Sequence, residues 1–538
     1  MISEFANNIM QLRYSHEIEG RKETWEEISK RVVDNVLSVR PIPKDIKDAV
    51  QWLVENRKFI PGGRFLAQSG RDYHQTNNCF LLRAEDTREG WGELFNKATV
   101  MLMSGGGIGV DYSQLRPKDT PLKRSGGWSS GPIPLMKSMN EVGRGVRYGG
   151  TRRSAIWAGL NWKHPDILDF ITLKNWIPEV IKLKEKDYDF PASMDMTNIS
   201  VILDKEFFEN FENENLHLHE KAQQIYSQVI DRMVKTGEPG FSVDYNNPNE
   251  SLRNACTEIV SEDDCDVCCL GSINLANIYS VDELAYVTDL ATLFLMCGVL
   301  YSDVPYPKVQ EIRTKNNRIG LGLMGIHEWL ISKGYPYDSN DELYEYLDTW
   351  KIQSDESVIA WANKLSVNVP IAKRAIAPNG TISIAGGLTT SGIEPIFSVA
   401  YKRRYLTPGG WKMQYVVDSI AEKLVEVGIN PNSIEDAYTL SLDVERRIAF
   451  QAFVQQFVDN GISSTINLPS FGSPGNDNPE AFGRILYKYL PKLRGITAYP
   501  DGARGGQPLT PVDYNYAIKH KGVIFDGHEE CTDGICGL

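Results

Sequence analysis

Cys256 lies in the run Asn254-Ala255-Cys256-Thr257-Glu258, with an amide, a thiol and a carboxylate at alternate positions. On an extended segment these three side chains share one face. A hydrogen-bond donor, a sulfur and a base would then converge on one point. A lone cysteine is most often a small buried hydrophobe. A glutamate two residues away argues for more, because a buried carboxylate needs a partner or a task. Further thiols are well placed. Cys79 follows Asn77-Asn78, Cys268 opens Cys268-Cys269-Leu270-Gly271-Ser272-Ile273-Asn274-Leu275, and Cys531 and Cys536 form a Cys-x4-Cys pair near the C-terminal end. Such thiols beside a reactive one suggest chemistry that consumes electrons and must be resupplied by exchange. The rival reading is zinc, with Cys265, Cys268, Cys531 and Cys536 as four thiolates. That would use up Cys268 and leave the run at 254–258 unexplained. Cys265, Cys269 and Cys297 read as packing cysteines.

Two segments could hold phosphate. Pro378-Asn379-Gly380-Thr381-Ile382-Ser383 offers hydroxyls and backbone N–H groups at a helix start, although an ordinary turn and N-cap would look the same. Arg144, Arg147, Arg152 and Arg153 fall within ten residues, interleaved with glycines. A solvated basic loop is the plain explanation. In an acidic chain the pattern fits a phosphate clamp better.

These residues need a large scaffold, and the chain can supply one. It has 538 residues, 42% hydrophobic and 24% charged, with net charge −13, enough for an extensive core. The acidic balance argues against a broad nucleic-acid-binding surface. Eight cysteines are too few for a disulfide scaffold. The absence of a long uninterrupted apolar run and of a signal-peptide pattern points to a cytoplasmic protein with no membrane span. Residues 1–60 read as helical, as do 205–237 and 340–365. Gly-rich segments such as GGGIGVDYSQL and GGTRRSAIWAGL read as strands and turns. The expected organisation is an N-terminal helical segment over 1–60, one large α/β unit over 61–505, and a mobile tail over 506–538 bearing Cys531 and Cys536.

Asn-x-Cys-x-Glu followed by Cys-x-Leu-Gly-Ser-Ile-Asn-Leu resembles the active-site signature of the ribonucleotide reductase catalytic subunit. The resemblance runs from about Phe59 to Arg504, plus the tail. It includes NNCF, GGTRR with HPDILDFI, NRIGLGLMGIHEWL, PNGTISIAGG with SGIEP, and GISSTINLP, in that order. It implies a ten-stranded α/β barrel with helices outside and Cys256 on a central loop. It also implies reduction of ribonucleotides to 2′-deoxyribonucleotides. Cys256 would be the thiyl residue that takes the ribose 3′-hydrogen, Glu258 the base on the 3′-hydroxyl, and Asn254 a ribose ligand. Cys79 and Cys268 would supply two electrons and end as a disulfide, with a one-residue slip to Cys269 as the alternative. Cys531 and Cys536 would recharge that pair from thioredoxin or glutaredoxin. Asn78, Pro378, Asn379, Thr381 and Ser383 would hold the substrate. Asp86, Arg116, Arg124, Arg152 and Arg153 would serve a deoxynucleotide effector, and a homodimer is implied.

The chain departs from larger relatives of that family. It leaves no room for an N-terminal ATP-binding cone, so on/off control by ATP and dATP is expected to be missing. It has no Tyr-Tyr pair of the kind that relays a radical from a separate metal-containing subunit. Gly495-Ile496-Thr497-Ala498-Tyr499-Pro500-Asp501-Gly502 looks closer to the adenosylcobalamin-dependent class II pattern, in which cobalamin is the radical source. The alternative is a class I large subunit, with no cofactor of its own, in which Tyr499, Tyr514 and Tyr516 relay the radical from a small subunit. No metal site is expected in this chain. A glycyl-radical enzyme would need a C-terminal glycyl loop, which the Cys-x4-Cys ending does not resemble. A zinc-binding nucleotide sensor would not need Asn254, Cys256 and Glu258 together.

Overall fold

The computed structural model describes residues 4–148, 152–187, 189–245, 249–407, 410–503 and 509–526. Cys531 and Cys536 lie outside them. Ten strands form one sheet: β1 (Phe59–Pro61), β2 (Cys79–Arg83), β3 (Gly107–Asp111), β4 (Ile156–Asn161), β5 (Thr197–Asp204), β6 (Gly240–Asp244), β7 (Asp266–Asn274), β8 (Ile319–Met324), β9 (Thr465–Leu468) and β10 (Gly495–Pro500). Their spatial order is β8-β7-β2-β3-β4-β5-β6-β10-β9, with β1 paired to β7. Strands β2 to β6 run parallel to one another, as do β7 with β8 and β9 with β10. The two junctions, β2 with β7 and β6 with β10, are antiparallel. Sequences such as IGLGLM in β8 and DVCCLGSIN in β7 are buried throughout, as expected of strands covered on both faces.

The sheet wraps towards closure through one extended segment. Leu321 of β8 donates to Lys373 O at 2.8 Å and accepts from Ala375 N at 3.2 Å. On its other side, Ile376 N donates to Gly461 O at 3.2 Å and Ile376 O accepts from Ser463 N at 2.8 Å, just ahead of β9. Sheet and helices therefore make the ten-stranded α/β architecture that the resemblance implies.

The N-terminal stretch folds as α1 (Glu4–Arg13), α2 (Trp25–Val36) and α3 (Lys44–Glu55), with a small hairpin of Glu17–Ile18 and Arg21–Lys22 after α1. A capping box between Thr24 and Glu27 starts α2, satisfying N–H groups that a helix start leaves open. Its buried Ile28, Val32 and Val36 join an apolar core shared with Leu53 of α3 and Leu321 of β8. Leu293 and Leu295 of α5 (Val281–Tyr301) belong to the same core; α4 is the short helix Gly63–Gln68. Helix α5 is the one described helix long and apolar enough to cross a membrane. Its most apolar window is 72% buried inside the fold, so its side chains are spent on the core.

Two local expectations change. The helical stretch at 205–237 breaks into Lys205–Glu212 and His219–Thr236. Residues 509–526, assigned to the tail by composition, carry ordered elements. Leu509–Pro511 and Ile524–Asp526 pair with the outer edges of the hairpin Ala400–Thr407/Gly410–Val417. Covering both edges satisfies backbone groups that an isolated hairpin would leave open.

Candidate functional site

The run at 254–258 is not extended. Leu252–Arg253 and Val260–Ser261 pair antiparallel, and the residues between them form a turn. Asn254 holds it from both sides. Its carbonyl accepts from Thr257 N at 3.1 Å, and its side-chain Oδ1 accepts from Ile259 N at 3.0 Å. Asparagine side chains compete with strand pairing in this way, which is why alternation failed as a guide here. Thr257 sits at φ 68°, the left-handed region that a β-branched residue rarely adopts. Cys256 lies beside it at the tip. Of the six described cysteines it alone is half-buried; the other five are buried.

Close backbone approach and two buried ion pairs place this loop. A Cβ on Gly109 of β3 would sit 1.9 Å from Arg253 O, and one on Gly461 would sit 2.9 Å from Thr257 O. Only glycine permits contacts this close. Arg253, fully buried, pairs with Asp244 of β6 at 2.9 Å and also donates to Val243 O at 3.0 Å. At the loop's other end Ser261 Oγ donates to Asp266 Oδ2 at 2.7 Å, and Arg318 Nε donates to the same oxygen at 2.9 Å. Arg318 continues to Asn460 Oδ1 at 2.9 Å. Next to it, Gly461 N donates to Glu258 O at 2.6 Å. The circuit runs from one end of the loop, through the barrel wall, to the carboxylate-bearing residue.

The electron-supplying residues proposed from sequence come together. Cys79 of β2 and Cys268 of β7 are direct antiparallel partners. Cα atoms of such partners lie about 4.5–5.5 Å apart, inside the range that a disulfide spans. Burial pushes the Cys268 thiol well above its ordinary value. Cys269 turns the other way and donates its thiol to Asn77 Oδ1 at 3.3 Å, so strand alternation separates the two adjacent cysteines. Cys265 points to Asp264 Oδ2 at 3.4 Å, and Cys297 is buried on α5.

Cys79, Cys256, Glu258, Asn78, Asn379 and Thr381 line one cleft of about 590 Å³. Three of the residues that line it leave buried side-chain atoms without a hydrogen-bond partner: Glu258 Oε2, Asn78 Oδ1 and Asn379 Nδ2. Unpaired buried polar atoms are costly, and three around one cleft mark groups prepared for a polar ligand. Asn379 is oriented by Ser272, whose Oγ donates to Asn379 Oδ1 at 3.1 Å. Burial, reinforced by Cys79, pushes Glu258 up to about 8, while the Asn254 amide pulls weakly the other way. Pro378 and Thr381 line the cleft; Ser383 is buried on α6 (Gly380–Ala385) behind them.

Sequence reasoning missed the other wall. Arg13, Tyr14, Lys22, Arg64 and Arg71 line the same cleft. The signal for Arg13, Tyr14 and Lys22 was the basic and aromatic cluster at 13–22, within the stretch that reads as helical. Of the effector residues, Asp86 and Arg116 meet as an ion pair at 2.7 Å. Arg124 lies apart on an exposed turn, Arg152 pairs across a short hairpin with Tyr148, and Arg153 stacks over Trp411 at 5.4 Å while pairing with Asp189. A second cavity of about 330 Å³ is lined by Phe397, Tyr438, Leu468 and Tyr499 with Thr389, Ser391 and Asn467. The lining mixes these aromatic, hydroxyl and amide groups with the carboxylates of Glu394 and Asp501. Tyr514 and Tyr516 do not share it: Tyr514 packs in apolar clusters under the C-terminal sheet, and Tyr516 stacks on His520.

Comparison with known proteins agrees with this geometry. A family model described as the barrel domain of ribonucleotide reductase matches residues 77–220, 205–345 and 372–490. The vitamin B12-dependent ribonucleoside-diphosphate reductase of Mycobacterium tuberculosis (strain CDC 1551 / Oshkosh) is 27% identical over 525 residues, covering 85% of this chain and 72% of its own. Its counterpart from Thermoplasma acidophilum is 28% identical over 519 residues, covering 84% and 65%. The ribonucleoside-diphosphate reductase large subunit of Vaccinia virus (strain Copenhagen) is 26% identical over 341 residues, covering 55% and 44%.

Two measurements check the site. Because Glu258 is raised in the fold, the native state holds its proton where the unfolded chain has lost it. Stability should therefore fall as pH rises from the ordinary glutamate range towards 8. Glu258→Gln should remove that part of the slope in denaturant titrations across pH; an unchanged slope would contradict the assignment. Gly109→Ala should destabilise by about 1–3 kcal/mol and alter the alkylation rate of Cys256 in a Cys531→Ser/Cys536→Ser background. Unchanged melting and alkylation would show that the close approach is not needed.

Proposed function

The chain belongs to the ribonucleotide reductase barrel family, and from that premise we propose that it is the catalytic chain of an adenosylcobalamin-dependent reductase converting ribonucleotides to 2′-deoxyribonucleotides. The observation that carries the reading is the grouping in one cleft of a half-buried thiol, a raised carboxyl and the Cys79 side of an opposed thiol pair. B12-dependent relatives over most of the chain support the choice of class.

Cys256 would lose its thiol hydrogen and take the 3′-hydrogen of the ribose. Glu258, once ionised, would accept the 3′-hydroxyl proton, which assists departure of the 2′-hydroxyl as water. Asn254 and Asn78 would orient the hydroxyls through their side-chain amides. Cys79 and Cys268 would supply two electrons and two protons and close to a disulfide. Cys256 would finally return the hydrogen to C3′ and become a thiyl again. A Cys268 thiol held high by burial stays protonated until used, which suits transfer of hydrogen together with the electrons. Asn379 and Thr381 would hold the α-phosphate end. Cys531 and Cys536 would reopen the Cys79–Cys268 disulfide by exchange and pass the charge on to thioredoxin or glutaredoxin.

Adenosylcobalamin, when bound, supplies a carbon radical by homolysis of its cobalt–carbon bond, strong enough to take hydrogen from a thiol. The residues present fit such a group. Phe397, Tyr438 and Tyr499 offer flat apolar surface, and Thr389, Ser391 and Asn467 offer partners for amides. Cys256 is the thiol open to an external hydrogen acceptor. Asp86 and Arg116 would bind a deoxynucleotide effector, with the Arg152–Arg153 strand relaying its identity towards the substrate base. That arrangement is compatible with a homodimer.

Cys256→Ser should reduce turnover to background with any reductant. Cys531→Ser should stop turnover with thioredoxin yet leave one reduction per prereduced chain, measured as deoxyribonucleotide formed per mole of protein. Full activity in Cys256→Ser would overturn the mechanism.

A further inference from the structure

Strand β7 carries two adjacent cysteines, and it changes neighbours between them. Up to Cys268 it pairs with β2, at Asp266↔Leu81, Val267↔Phe80 and Cys268↔Cys79. From Cys269 onward it pairs with β8, joined by β1 at Gly271–Ile273. Cys79 and Cys268 are therefore the last rung of the β2–β7 ladder. Strand ends open more readily than strand centres, so a reactive pair placed there needs support from beyond the rung.

Side chains supply that support. Cys269, which reads from sequence as a packing residue, donates its thiol to Asn77 Oδ1 at 3.3 Å. Asn77 lies two residues before Cys79, just outside β2. Its Nδ2 donates to Ser302 Oγ at 2.9 Å. Ser302 Oγ also accepts from Thr76 N at 2.8 Å and donates to Asp303 O at 2.9 Å, and Arg313 Nη1 donates to Ser302 O at 2.5 Å. Cys269, Asn77, Thr76 and Ser302 are all buried. The bonds run from β7, across the end of β2, to the residue that follows α5.

The two cysteines face different surroundings, as alternation requires. Cys269 belongs to the apolar core shared with α5, whereas Cys268 clusters with Leu252 and Ile259, which flank the Cys256 turn. On the Cys268 side the neighbouring strands leave room for sulfur. A Cβ on Gly107 of β3 would lie 3.2 Å from Cys79 Sγ, and one on Gly320 of β8 would lie 3.0 Å from Cys268 Sγ. Glycines seat the sulfurs, and the Cys269–Asn77 bond holds the backbones that carry them.

We propose that Cys269 is a positioning residue for the reducing pair: through Asn77 it fixes the rung at which Cys79 faces Cys268, and so sets how readily that pair closes to a disulfide. The proposal rests on reading Cys79 and Cys268 as the electron donors. Cys269 itself exchanges no electrons. Its contribution is a hydrogen bond, so a residue that packs but cannot donate should fail, and one that donates should serve.

The test is the redox equilibrium of the full-length chain with glutathione, in a Cys531→Ser/Cys536→Ser background that removes exchange with the tail pair. The Cys79 and Cys268 thiols give up two electrons and two protons and form one S–S bond; the S–S bond of oxidised glutathione breaks and takes them up as two thiols. Linked peptides identified by mass spectrometry report which bond has formed. Cys269→Val keeps an apolar side chain and removes the donor. It should lower the equilibrium constant for closure about tenfold, a rise of about 30 mV in reduction potential. Asn77→Ala should do the same from the other end of the bond, and it decides the matter if Cys269→Val fails to fold. Cys269→Ser keeps a donor and should stay within about twofold of the background chain. Closure unchanged in Cys269→Val and Asn77→Ala, or lowered as far in Cys269→Ser, overturns the proposal. A background chain that forms no Cys79–Cys268 bond, or closes Cys79 onto Cys269, refutes the reading beneath it.

Discussion

The arrangement depends on holding a polar loop inside a barrel. A turn carrying Asn254, Cys256 and Glu258 has no natural reason to leave solvent, and two buried ion pairs keep it there. Arg253–Asp244 anchors one end to β6 and Arg318–Asp266 the other to β7. Breaking such a pair by removing one partner costs about 3–5 kcal/mol, because the remaining charge is stranded. The pairs also specify direction. Arg253 ties the loop to the end of β6, while Arg318 reaches through Asn460 to Gly461, which touches Glu258 from the segment ahead of β9. A thiol on such a loop is fixed along two lines, which suits hydrogen-atom transfer, where small misplacements are expensive.

The sheet topology does the complementary task. Parallel strands alone would not have set Cys79 against Cys268; the antiparallel junction of β2 with β7 does so. The same kind of burial that raises the Cys268 thiol raises Glu258. The cleft offers the unpaired polar atoms of Glu258, Asn78 and Asn379 beside Cys256, and cations along its N-terminal wall.

Much of this was legible in the sequence, because the chemistry uses rare residues at fixed spacings. Cys79, Cys256, Cys268 and Glu258 were singled out by motif alone, and the fold brings Cys79, Cys256 and Glu258 to one cleft with Cys268 opposite Cys79; strand alternation separates Cys268 from Cys269 as expected. What was hidden depends on contacts distant in sequence. Nothing local marks Arg318 as a partner of Asp266, or Gly109 as the seat of Arg253 O. Alternation at 254–258 misled because an asparagine side chain bonded its own backbone. The N-terminal wall was hidden because Arg13 and Lys22 look like the solvated face of a helix and a turn until α1 is seen packed on α6. Residues 509–526 looked like tail because short edge strands carry little apolar pattern of their own.

The central claim is that this chain, by itself, carries a radical from an external cofactor to Cys256 and on to the ribose. The most direct measurement is deoxyribonucleotide formation by the purified chain with adenosylcobalamin and a dithiol reductant, no other protein added. The account predicts steady turnover that depends on adenosylcobalamin. No turnover under those conditions, with activity restored by a metal-loaded second subunit, would contradict it.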